Sequence, residues 1–91
     1  MPRYLIERTF ADGLTVPLTD EGERMCRTIN TRNARYGVHW LHSYVSADRT
    51  RTFCVYDGPT PESIHQAAEC NGLPVDRVTA VCLLAPHFYR P

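Results

Sequence analysis

Lysine is missing from this chain: all ten basic residues are arginines, and ten acids balance them to a formal net charge of zero. The arginines run from Arg3 to Arg90 without a cluster, apart from Arg49 and Arg51 beside a predicted turn. A nucleic-acid binder carries a cationic excess or a basic stripe, so this distribution argues against nucleic acid as a partner. Long apolar runs are missing too. No stretch nears the roughly 18 residues a membrane span needs, and Met1-Pro2-Arg3-Tyr4 leads directly into a strand-like run without the apolar core of a signal peptide. The expectation is a cytoplasmic protein with no membrane partner. There is no Gly-rich phosphate loop, no nucleophile elbow, no zinc-spaced Cys/His set and no Cys-x-x-Cys. Cys26, Cys54, Cys70 and Cys82 lie 28, 16 and 12 residues apart, and in a reducing compartment they are expected to be thiols acting as small apolar residues.

What is present is patterned. At 91 residues the chain, 1–91, reads as a single domain near the lower size limit for one self-sufficient core, so an oligomer would help it. Two alternating, β-branched and aromatic runs, Val38–Ser46 and Thr50–Asp57, read as the arms of a β-hairpin joined through Ala47-Asp48-Arg49. Before them, Arg3–Phe10 reads as a strand with Tyr4, Ile6, Arg8 and Phe10 on one face and Leu5, Glu7 and Thr9 on the other. Asp12-Gly13 ends it, and residues 14–18, with Pro17, form a connection. A helix follows, capped by Thr19 or Asp20 and stopped by Gly37, with a thin apolar stripe of Met25, Cys26, Ile29 and Tyr36. Thr60-Pro61-Glu62-Ser63 starts a second helix that Gly72 and Pro74 stop. Val78–Ala85 reads as a last strand broken by Pro86, with residues 87–91 as an aromatic tail.

The order strand, helix, strand, strand, helix, strand predicts an α+β, ferredoxin-like βαββαβ fold with two helices on one face of a four-stranded antiparallel sheet. Nothing would then cover the opposite face. A bare sheet face of this kind predicts a homodimer packed face to face, as in a dimeric α+β barrel.

Pro2-Arg3-Tyr4-x-Ile6-Glu7-Arg8, Trp40-x-x-Ser43-Tyr44-Val45, Cys54-Val55-Tyr56-x-x-Pro59 and Gly72-Leu73-Pro74, taken in order, resemble a small bacterial domain family of unknown function that is designated nickel-binding. The resemblance spans nearly the whole chain. It implies a ferredoxin-like fold, a dimeric barrel and nickel or another divalent metal as ligand.

Candidate site residues come mainly from the hairpin. Trp40, His42 and Tyr44 form one alternating stripe that Tyr4, Arg8, Cys54 and Tyr56 could join. Such a stripe is either an aromatic-walled pocket, with Trp40, Tyr4, Arg8 and Tyr56 as ligand contacts, or the packing surface between two sheets. For a metal, imidazole and thiolate donors must converge. His39 and His42, three apart on a strand, are expected on opposite faces, whereas His42 with Cys54 would meet if the register allows. His65 and His87 look like surface residues. Glu7, in an apolar strand, needs an arginine partner such as Arg8, Arg51 or Arg77, or a raised pKa. Two functions follow as expectations: a small homodimeric binding protein for nickel or another divalent metal, or a cofactor-independent enzyme of isomerase, cyclase or monooxygenase type that uses His42, Tyr44 and Glu7 on an aromatic molecule.

Overall fold

The computed structural model describes residues 1–16 and 19–90; Pro17 of the expected connection and Pro91 of the expected tail lie outside them. Four strands, β1 (Arg3–Thr9), β2 (His39–Val45), β3 (Arg51–Asp57) and β4 (Arg77–Val81), form an antiparallel sheet in the order β2-β3-β1-β4. Two helices, α1 (Asp20–Ala34) and α2 (Pro61–Cys70), complete the ferredoxin-like arrangement. Among the described residues no helix is long and apolar enough to cross a membrane.

Strict alternation on the two central strands decides the layering. Tyr4, Ile6 and Arg8 of β1 and Thr52, Cys54 and Tyr56 of β3 are buried, while Leu5, Glu7, Phe53 and Val55 between them are only half-buried. The core gathers Tyr4, Ile6, Val38, Cys54, Tyr56, Ile64 and Ala67. Alanines at 67 and 68 let α2 come close to the sheet, and a Cβ on Gly58 would stand 3.0 Å from Ile64 Cδ1. Thr60 caps α2 by accepting from the Ser63 amide at 3.1 Å, whereas Thr19, at the start of α1, makes no such side-chain bond. α1 ends before Gly37, whose φ of 70° closes the turn at no steric cost.

Two features depart from the sequence expectation. The predicted last strand, Val78–Ala85, is split: β4 stops at Val81, and Leu83–Ala85 (β5) folds back on Phe88–Arg90 (β6) as a separate two-stranded sheet with Pro86 in the turn. The pairing of β4 with β1 runs from Arg77 opposite Glu7 to Val81 opposite Arg3, and Arg3 is where β1 begins. The second departure is a bulge in β2. Trp40 pairs with Tyr56 and His42 with Val55, so Leu41 is an extra residue.

That one residue re-sorts the hairpin. Trp40, Ser43 and Val45 share the helix-covered face with Tyr56, Cys54 and Thr52, while His42 and Tyr44 share the open face with Val55 and Phe53. The single stripe expected of Trp40, His42 and Tyr44 is therefore two half-stripes on opposite faces. The opposite-face expectation for His39 and His42 is corrected by the same bulge: His39 pairs with Asp57 and His42 with Val55, two residues apart on one face of β3.

Candidate functional site

On the helix-covered face, α1 does not seal the sheet. Its buried residues are Gly22 and Asn33, near the two ends of the helix, and between them Met25, Cys26 and Ile29 stay partly exposed. They form one wall of a cleft of ≈ 330 Å³. The sheet supplies the floor through Arg8, Trp40, Thr52, Cys54 and Tyr56, and Phe10, Leu14 and Leu73 close the sides. The loop at Leu14 is fastened to the hairpin turn: the Leu14 amide donates to the Arg49 carbonyl at 2.7 Å, and Arg49 Nε donates to the Leu14 carbonyl at 3.0 Å. Arg49 holds this position with a φ of 63°, in the left-handed region.

Three of the four expected ligand contacts line this cleft, and the fourth, Tyr4, is buried in the core of the same face. Trp40 and Tyr56 stack with centroids 6.5 Å apart and an interplanar angle of 20°. Trp40 Nε1 donates to Ser43 Oγ at 2.8 Å, which satisfies the indole and fixes its orientation. Arg8, 3% exposed, donates from Nη1 to the Pro74 carbonyl at 2.7 Å and from Nη2 to the Tyr56 hydroxyl at 3.5 Å. Burial raises the Tyr56 phenol pKa, against the opposing pull of the Arg8 charge, so this hydroxyl stays protonated.

The open face carries the other candidates. His42 meets the ring of Tyr44 edge-on, centroids 5.4 Å apart, and Tyr44 is 65% exposed. Glu7 has the arginine partner the sequence called for: Arg51 Nη2 lies 3.4 Å from Glu7 Oε1. Strand β3 stands between Glu7 and His42, which also lie two register positions apart along it, a separation of about 12 Å at ordinary strand spacing. The structure thus does not join His42, Tyr44 and Glu7 into one acid–base group. It does not join His42 to Cys54 either. Cys54 pairs with Ser43 on the covered face, where its thiol contacts Thr52 Oγ1 at 3.7 Å. Among the described residues, no three His, Cys, Asp or Glu side chains gather as a metal site.

Some residues of the cleft were not singled out from the sequence. Thr52 was legible, because it lies two and four residues before Cys54 and Tyr56 on an alternating strand. Ser43 was not, because its face depends on the bulge.

Comparison with known proteins agrees with this architecture. The crystal structure of SCO4226 from Streptomyces coelicolor A3(2) superposes with a TM-score of 0.73 at 18% identity, over 91% of this chain and 99% of that one. At this identity the likeness is one of fold. No match was found among curated proteins. The family model described as nickel responsive protein SCO4226-like matches residues 4–81, a span that takes in both helices and all of the main sheet except Arg3. The chain belongs to the SCO4226-like family of nickel-responsive proteins.

Proposed function

We propose that this protein serves a nickel response as a homodimeric metal-binding protein whose two copies meet through their open sheet faces. The observation that carries this reading is the pair His39 and His42. The bulge at Leu41 turns both onto one face, with their strand partners about 7 Å apart, a spacing at which two imidazoles can approach one ion. Imidazole suits nickel. One chain alone does not fit a complete site, since no third donor joins the pair among the described residues. A second copy on the same face doubles the imidazoles, and the half-buried Leu5, Phe53, Val55 and Val81 supply apolar area for the contact.

Nickel titration by calorimetry, with sedimentation to report mass, tests this on tag-free protein. The expected result is one nickel per two chains, tightening of the dimer by the metal, and loss of uptake in His39→Ala and in His42→Ala. Unchanged uptake in both variants, or one nickel per chain held by a monomer, overturns the proposal.

A further inference from the structure

We propose that the cleft between α1 and the sheet is a binding site for a small monocarboxylic acid with an aromatic or short aliphatic body, separate from any metal on the opposite face. The argument begins with Arg8. Its guanidinium is always charged, the residue is buried, and among the described residues no carboxylate pairs with it. A buried charge without a counter-ion is costly, and proteins normally pair it. Only two of its five N–H groups have protein acceptors, the Pro74 carbonyl and the Tyr56 hydroxyl, and the second bond is long. Both acceptors are neutral, and the Tyr56 ring, its centroid 6.0 Å from the guanidinium carbon, adds a cation–π contact but no counter-ion, so among the described residues no negative charge meets Arg8 at the cleft wall.

The rest of the cleft fits the body of such a ligand. Its volume lies at the small end of ligand pockets, and Phe10, Leu14, Ile29 and Leu73 give it an apolar lining. Trp40 and Tyr56 offer stacked rings to a flat body. The protonated Tyr56 hydroxyl, beside the guanidinium, is a second donor for the carboxylate. A larger acid exceeds the space, and an uncharged molecule leaves the Arg8 charge unmet.

The chain contains a single tryptophan, and it lines the cleft, so its fluorescence reports occupancy. Native protein is titrated with 3-phenylpropionate and with the matching alcohol, 3-phenylpropanol, in the presence of EDTA to remove metal. The acid is expected to bind saturably and about 10-fold more tightly than the alcohol, the difference a charge-assisted pair supplies. Arg8→Met is expected to abolish that preference. Cys26→Phe fills the α1 side while keeping Arg8, and is expected to block both ligands, so the test stands even where Arg8→Met does not fold. No fluorescence response to the acid, equal affinity for acid and alcohol, or undiminished binding by folded Cys26→Phe overturns the proposal.

Discussion

The two faces of the sheet come from the same four strands and could hardly differ more. The covered face is apolar, carries one buried arginine, and is only partly closed by its helices. The open face carries two ion pairs, Arg3 with Asp57 at 2.9 Å and Glu7 with Arg51 at 3.4 Å, and leaves His42 and Tyr44 exposed. Burial on the first face therefore governs stability, whereas the second has side chains to spare for a partner. The helices repeat the lesson. α2 is short but buries Ile64, Ala67 and Ala68, while the longer α1 buries only Gly22 and Asn33. The cleft lies under the helix that packs less well.

This contrast can be broken by substitution. Ile6→Ala, at a fully buried position of the covered face, should cost about 2–5 kcal/mol in urea unfolding through lost transfer energy and the cavity left behind. Tyr44→Ala, on the open face, should change monomer stability by less than about 0.5 kcal/mol, and should weaken self-association instead. Comparable unfolding losses for the two variants would show that the faces are not energetically distinct.

The helix comparison predicts a smaller effect. Thr60→Ala removes a cap bond to the Ser63 amide and should cost about 1 kcal/mol. Thr19→Ala removes no side-chain cap bond and should cost less. Equal costs, measured by chemical unfolding of both variants, would mean that the difference in capping does not matter.

The smallest expected effect lies in the hairpin turn. Asp48 accepts from the Ser46 hydroxyl at 2.7 Å, the Thr50 amide at 3.0 Å and the Thr50 hydroxyl at 2.8 Å. Ser46 is the largest cause of its lowered pKa, about 2 against an ordinary 3.8. A carboxylate whose folded pKa is depressed stabilises the fold above its unfolded value and loses that contribution as pH falls through the folded one. The window here is about pH 4 down to about pH 2. Asp48→Asn should flatten the acid limb of the unfolding curve within that window and leave the neutral region little changed; parallel curves for the two proteins would remove the turn as a contributor.

Much of this was legible in local sequence. Alternation sorted β1 and β3 correctly, so Tyr4, Arg8, Cys54 and Tyr56 were rightly grouped on one face, and the Thr60-Pro61-Glu62 start of α2 was read from its cap. Their group was nevertheless expected to include His42 and Tyr44, which lie on the other face. The error came from extending the same alternation through β2. Nothing in Trp40-Leu41-His42 marks a bulge, because a bulge is a relation between two strands rather than a property of one.

The sequence by itself determined the order of the main-sheet strands and the two helices, the helix boundaries to within a few residues and the inward side of the two central strands, because caps, turns and period-two alternation act over a few residues. Only the tertiary structure decided which hairpin side chains share a face and where the last strand ends. Leu41 is extra only when Trp40 and His42 are set against Tyr56 and Val55, and β4 stops at Val81 opposite Arg3, the first residue of a strand at the other end of the chain. Those pairings are non-local, and on them depends whether His39 joins His42 and whether Trp40 joins Arg8.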